Sequence, residues 1–295
     1  IPPRPNFLHL RLGDKLIVTG EDRPGEPAKY DGAGRVLAPA HIGCTLPEIL
    51  EQVQSGERIW FDDGKIGGVI ELAEIDSLQV KITHAGPGGS KLRPDKGINL
   101  PESSLELPAL TRKDREDLKF VAQHADIVAL SFANSAKDVR DLKQALDEFG
   151  AEKLGIVLKI ETLTGFRHLP DMLLEAMSSP ACGVMIARGD LAVESGFERL
   201  AELQEEILWL CEAAHVPVIW ATQVLENLAK TGAPTRAEIS DAAMAHRSEC
   251  VMLNKGPHIV ETVRTLDNIL QRMGGHQFKK QSMLRKLHLA SDWQN

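Results

Sequence analysis

Three apolar segments in the second half of the chain end on groups able to do chemistry, and a helical pattern follows each one. They read Gly-Ile-Val-Leu-Lys159-Ile-Glu161, Gly-Val-Met-Ile-Ala-Arg188-Gly189-Asp190 and Val-Pro-Val-Ile-Trp-Ala-Thr222. In an extended strand residues two apart share a face, so Lys159 and Glu161 point into one space. Buried there without partners, each charge would cost several kcal/mol; at the last turn of a strand they reach a site instead. An internal Lys–Glu ion pair is the plainer alternative. Glu161 and Asp190 offer hard carboxylate oxygens that suit Mg²⁺ or Mn²⁺, with water and substrate oxygens completing the coordination. Asp190, following a glycine, could also be a helix N-cap and nothing more. Amides near Gly189 and Asp190 at a helix start would favour an anion such as a substrate carboxylate. The Thr222 hydroxyl can bridge to a substrate oxygen or relay a proton, or the residue can simply be a β-branched packing group.

An apolar strand that releases polar groups at its C-terminal end, just before a helix, is how a (β/α) barrel builds an active site. After Pro101 the pattern alternates accordingly. Helices are expected over Lys113–Gln123, Ala136–Phe149, Arg167–Ala176, Arg199–Ala214, Arg236–Ala243 and His258–Gln271, with strands at Ile127–Phe132, Gly155–Ile160, Gly183–Ala187, Val216–Ala221 and Glu249–Leu253. The strands are continuously apolar, as parallel strands covered by helices should be. They number five, where a closed barrel has eight. Thr111 and Ser135 stand three residues before Asp114 and Asp138, a modest relative of the capping box. Before residue 100 the texture differs. Short β-like runs at Lys15–Thr19, Arg58–Phe61, Gly67–Leu72 and Leu78–Thr83 are separated by turn signals such as Asp63-Gly64, with one short helix expected over Leu46–Val53. That spacing fits a small β-barrel or sandwich. From Gly274 onward the sequence reads as an irregular tail.

The chain has 295 residues, 43% apolar and 26% charged, a globular profile. A net charge of -8 argues against a nucleic-acid surface; the basic pairs Lys279-Lys280 and Arg285-Lys286 read as solvated surface. Four scattered cysteines without a C-x-x-C pair suit a reducing compartment. No apolar run approaches the roughly 18 residues of a membrane span and no signal peptide opens the chain, so a cytoplasmic enzyme is expected. The ten histidines form no H-x-x-x-H or H-x-H pair, which argues against zinc. Neither a P-loop nor a strand-bounded G-x-G-x-x-G occurs.

The chain resembles the pyruvate kinase family. The resemblance is carried by Lys159-Ile-Glu161, Ile-Ala-Arg188-Gly189-Asp190-Leu-Ala-Val-Glu194, Ala221-Thr222-Gln223-Val-Leu-Glu226 and Pro234-Thr235-Arg236-Ala-Glu238-Ile-Ser-Asp241, preceded by Asp62-Asp63-Gly64-Lys65-Ile66, Lys96-Gly97-Ile98-Asn99-Leu100-Pro101 and Asp114–Phe120. These blocks run in the family's order from about residue 10 to 272. The resemblance implies that Glu161 and Asp190 hold the divalent metal. Lys159 neutralises the phosphoryl group in flight and the developing enolate. Amides around Gly189 and Asp190 hold the pyruvate carboxylate, Thr222 lies near the methyl carbon that gains a proton, and Lys96 contacts nucleotide phosphates at the hinge of a closing lid. Five departures stand out. The family's first three barrel strands, with its phosphate-binding Arg and its K⁺ ligands, have no counterpart here. Leu158 stands where a Ser precedes the lysine, Asn254-Lys255-Gly256-Pro257 replaces Ser-Gly-Glu-Thr, and Leu92–Asp95 is inserted before Lys96. The family's C-terminal regulatory domain is also absent.

The resulting expectation is an α/β chain. A β-barrel lid over residues 1–97 precedes strands four to eight of a TIM (β/α)₈ barrel over 98–272, and an irregular tail over 273–295 follows. A missing N-terminal segment or a partner chain would close the barrel, and the assembly would be a homo-oligomer. The expected glycolytic reaction passes a phosphoryl group between phosphoenolpyruvate and ADP, giving pyruvate and ATP, with Mg²⁺ or Mn²⁺ and with K⁺ if its ligands come from elsewhere. No nucleic acid or membrane is involved. The alternatives are a metal-dependent lyase or aldolase acting on pyruvate enolate, and a pseudoenzyme that keeps the fold as a binding module, for which the altered loop at Asn254–Pro257 speaks.

Overall fold

The structure, a computed structural model, describes residues 6–21, 23–103, 105, 107–278 and 281–282. The chain divides into two units: residues 1–108 with Val193–Ser195, and residues 109–192 with 196–295. The first is β-rich. Its strands are β1 (Leu8–Leu10), β2 (Lys15–Thr19), β3 (Lys29–Tyr30), β4 (Val36–Ala38), β5 (Ala40–Gly43), β6 (Arg58–Phe61), β7 (Ile66–Glu74), β8 (Ser77–His84), β9 (Ser90–Leu92) and β10 (Ile98–Asn99). Six of them form one sheet in the order β10-β6-β7-β8-β2-β5, antiparallel throughout except for β2 against β5. Period-two patterning explains β8: Leu78, Val80 and Ile82 are buried while Lys81 between them is exposed. The β6–β7 connection turns through Asp62, Asp63 and Gly64, all with positive φ (53°, 55° and 80°), as a tight hairpin requires. The helix expected over Leu46–Val53 is a 3₁₀ helix, Pro47–Gln52.

The second unit alternates helix and strand. Its elements are α1 (Arg112–His124), β11 (Ile127–Leu130), α2 (Ala136–Glu148), β12 (Gly155–Ile160), α3 (Leu163–Arg167), α4 (Leu169–Ala176), β13 (Cys182–Ala187), α5 (Arg188–Ser195, apart from the last three residues, which group with the first unit), α6 (Leu200–Ala213), β14 (Val218–Val224), α7 (Glu226–Thr231), α8 (Arg236–Met244), β15 (Cys250–Leu253) and α9 (Ile259–Met273). The five strands form one parallel sheet in chain order, β11 to β15, part of an α/β barrel. Capping fixes where several helices begin. Thr111, Ser135 and Thr235 each accept from the backbone N–H three residues on, and the side chains of Asp114, Asp138 and Glu238 accept from the cap backbone in return. Asp at the third helical position therefore completes the box as Glu does.

The helix expected over Arg167–Ala176 is split at His168. Thr162 caps α3, and Pro170, which has no N–H to donate, sits in the first turn of α4. The helix start expected near Gly189 and Asp190 is that of the short helix α5, while the short helix α7 has no counterpart among the expected ranges. The C-terminal β-pair Gln277–Phe278 with Gln281–Ser282, in the segment read as irregular, has none either. Lys279, Lys280, Arg285 and Lys286 lie outside the described residues.

One core fills the space between the sheet and its helices, with Leu158, Ile160, Val184, Ile186, Val218 and Trp220 contributed by the strands. The loop after β15 is fitted closely to α7: the His258 amide donates to the Ala229 carbonyl at 3.0 Å, and a Cβ on Gly256 would overlap that same oxygen. Gly256→Ala should therefore destabilise the protein by about 1–3 kcal/mol. Gly88→Ala, whose Cβ meets nothing within 4 Å, should change stability by less than about 0.5 kcal/mol. Urea unfolding of the two variants checks this contrast.

Candidate active site

Parallel pairing sets the reactive strand ends side by side. Ile160 pairs with Ile186 and Ile186 with Trp220, so the three strands stand level at their C-terminal ends. One residue further Ala187 pairs with Ala221, and Glu161 follows Ile160 directly as the chain leaves β12. Leu158 and Ile160 are fully buried against the helices, so the intervening Lys159 and the following Glu161 face the other side. Leu158 thus occupies an apolar core position.

Glu161 is 3% exposed. One carboxylate oxygen lies 2.9 Å from Lys159 Nζ, and the other accepts from the Phe132 amide at 2.6 Å. The amide is available because Phe132 turns left-handed (φ 49°) as the chain leaves β11. Lys159 Nζ also donates to Ser131 Oγ at 2.8 Å. Burial pushes the Glu161 carboxyl above its ordinary value. Lys159 and the Phe132 amide oppose the shift without cancelling it, and the negative charge of Asp190 adds to it. The Lys–Glu ion pair is therefore formed, and it sits where the chain also gathers a second carboxylate.

Asp190 lies in the first turn of α5, whose N-cap is Ala187, so the capping role is not its own. The Gly189 amide donates to Thr222 Oγ1 at 2.9 Å, which places the Thr222 hydroxyl at the helix start. Thr222 and Gln223 both have positive φ (65° and 57°), costly for non-glycine residues and most of all for a β-branched one. Lys159, Glu161, Gly189, Asp190 and Thr222 are all in the second unit. Lys96 belongs to the β-rich unit, where its Nζ lies 2.9 Å from Asp62, which also pairs with Lys65 at 3.1 Å. That hydrogen bond raises the Lys96 pKa. On Asp62 burial pulls the pKa up, but the hydrogen bonds from Lys96 and Lys65 outweigh it and the net shift is downward.

Four groups at the second unit's strand ends, or on a helix reaching one of them, escaped the sequence reading. Ser131 and the Phe132 amide end β11, a fourth strand end hidden because the apolar run was read straight through to Phe132. Arg188 and Asp241 stood inside recognised blocks without a role. An arginine directly after a continuously apolar run was the signal available, since arginine so close to a core needs partners. The altered loop is tied down as well: Asn254 Nδ2 donates to Glu226 at 3.2 Å, and Lys230 pairs with the same carboxylate.

Glu161 and Asp190 fit a hard dication by donor chemistry: two carboxylates, one of them desolvated and lacking full compensation. Among the described residues no group of three or more His, Cys, Asp or Glu side chains is placed to hold a metal ion, and no helix is long and apolar enough to cross a membrane. The raised Glu161 pKa predicts a pH effect in chelator-treated protein. A carboxyl whose folded pKa lies above its unfolded value contributes stability at low pH that is lost as pH rises through the folded pKa. The stability of wild type relative to Glu161→Gln should therefore improve as pH falls from neutral toward 5, measured by urea unfolding in EDTA. A difference that does not vary with pH contradicts it.

The pyruvate kinase barrel-domain profile matches residues 12–258. A pyruvate kinase of Geobacillus stearothermophilus is 34% identical over 272 residues, covering 90% of this chain and 43% of that protein. One of Clostridium acetobutylicum is 33% identical over 275 residues, 90% of this chain and 54% of its own length. Pyruvate kinase 1 of Trypanosoma brucei brucei is 37% identical over 231 residues, 76% of this chain and 44% of its own. The chain thus spans about half the length of the curated relatives it matches. With a profile that spans most of its length and relatives of this identity, the chain belongs to the pyruvate kinase family and carries part of that family's (β/α) barrel.

Proposed function

We propose that the protein containing this chain transfers a phosphoryl group between phosphoenolpyruvate and ADP, giving pyruvate and ATP in glycolysis. The observation that carries this reading is the gathering of Lys159, Glu161, Asp190 and Thr222 at and just beyond the C-terminal ends of three adjacent parallel strands. The Lys159 ammonium, held by Glu161 and Ser131, neutralises charge on the phosphoryl group and on the enolate oxygen. Glu161 and Asp190 would hold Mg²⁺ or Mn²⁺, which supplies charge neutralisation at the same oxygens. The amides at the start of α5 receive the substrate carboxylate, and there it competes with Thr222 Oγ1 for the Gly189 N–H. Thr222 serves the protonation of the methyl carbon. Lys96, poised by Asp62, contacts nucleotide phosphates.

Closure of the barrel, the K⁺ ligands and the phosphate-binding arginine are assigned to residues outside this sequence, in the same polypeptide or a partner, within a homo-oligomer. Edge strand β11 leaves Ile127 61% exposed, and on β15 Met252 is 39% exposed, as expected where further strands should pack. Four free cysteines agree with a cytoplasmic location.

In a coupled assay on the complete protein, Lys159→Met should lower kcat by about 10²–10³-fold with the KM for phosphoenolpyruvate little changed. Equal turnover would remove Lys159 from the mechanism. If wild type catalyses metal-dependent condensation of pyruvate with an aldehyde and forms no ATP, the lyase reading replaces this one. Glu161→Gln should weaken Mn²⁺ binding by at least about tenfold by calorimetry, and unchanged affinity would exclude Glu161 as a ligand.

A further inference from the structure

Thr222 is held in a backbone conformation that a β-branched residue rarely adopts, and the structure shows what holds it. The β14–β15 ladder pairs Ile219 with Cys250 and Trp220 with Val251, then slips and resumes at Val224 with Leu253. Residues 221–223 are thereby released from that ladder, and two of their carbonyls turn to a single side chain. Arg188, 7% exposed, donates from Nε to the Ala221 carbonyl at 2.9 Å and from Nη2 to the Thr222 carbonyl. Its Nη1 pairs with the Asp241 carboxylate of α8. Its guanidinium lies over the Trp220 ring, 5.0 Å from the centroid, on a core side chain that is itself 1% exposed.

We propose that Arg188, with Asp241 as its anchor, is a positioning residue that fixes the left-handed backbone at Thr222 and so sets where the Thr222 hydroxyl stands. The planar guanidinium suits this role because its fork of donors reaches two carbonyls and a carboxylate at once. Arg188 and Gly189 are consecutive, and they grip one residue from two sides. The Arg188 side chain takes the Thr222 carbonyl, and the Gly189 amide donates to its Oγ1. Without substrate Oγ1 accepts from Gly189, and the hydroxyl's own proton has no protein acceptor among the described residues. Arg188 is also the first residue of α5, which continues through Gly189 and Asp190.

The inference rests on the phosphoryl-transfer reading for its rate readout and on backbone conformation for an independent one. In the complete protein, Arg188→Lys keeps the charge opposite Asp241 but loses the fork. It should lower kcat about 100-fold, the penalty of a misplaced group, while the KM for phosphoenolpyruvate changes by less than roughly threefold. In a double variant with Thr222→Ala, the two losses should not multiply. The ¹³Cα and ¹³Cβ shifts of Thr222, assigned by difference against Thr222→Ala, should report a left-handed residue in wild type and leave that range in Arg188→Lys. Full turnover in Arg188→Lys, multiplicative losses in the double variant, or unmoved Thr222 shifts would each overturn the proposal. If Arg188→Lys fails to fold, Asp241→Asn decides. It keeps both carbonyl contacts and should cost roughly tenfold in kcat, whereas unchanged turnover and shifts refute the anchor. A wild-type protein that never turns over phosphoenolpyruvate sinks the reaction reading alone, and the Thr222 shifts still judge the positioning role.

Discussion

A parallel strand that stops must hand its last backbone groups to something other than the ladder, and the second unit is organised around how that is done. At the end of β11 the Phe132 amide goes to the Glu161 carboxylate; at the end of β14 the Ala221 and Thr222 carbonyls go to Arg188. Buried backbone polar groups require partners. By using charged side chains as those partners, the chain binds its ionised groups to the strand ends and orients them in one step. The level register of β12, β13 and β14 then makes neighbours of groups far apart in sequence.

This arrangement also balances the charges. Glu161 is buried, its carboxyl is pushed toward the neutral form, and its compensation comes from one lysine and one amide while Asp190 works against it. An ion pair in such a place is weak support for stability, because taking two charges out of water costs about as much as their attraction returns. Its retention is better explained by work at the strand ends. The cation on Lys159 is oriented by Glu161 and Ser131 together, which leaves a fixed positive charge beside the desolvated carboxylate.

Much of this was legible beforehand, and the failures have physical causes. The strands β12 and β13 and the groups at their ends were read nearly to the residue, because continuous apolar runs bounded by charges admit few alternatives. Helices with a side-chain cap, such as those after Thr111, Ser135 and Thr235, were placed to within a residue or two. The start of α5 was expected near Gly189, but its extent and the whole of α7 were missed because both helices are short and start without a side-chain cap. The extension of β14 through Val224 was missed because propensity does not foresee left-handed residues inside a strand. Arg188 was visible as a letter but not as a contact: which carbonyls a slipped ladder releases is known only once the register is known.

Thr222 is a residue at which persistence of the fold and usefulness of the site pull in opposite directions. Glycine would adopt its backbone angles without steric penalty, and asparagine would do so more easily than a β-branched residue. A search for thermal tolerance would be drawn to replace it, and each such gain would delete the hydroxyl. Glycine or asparagine at residue 222 would relax the backbone only by removing the Oγ1 that accepts from the Gly189 amide, so local strain and the hydroxyl come together.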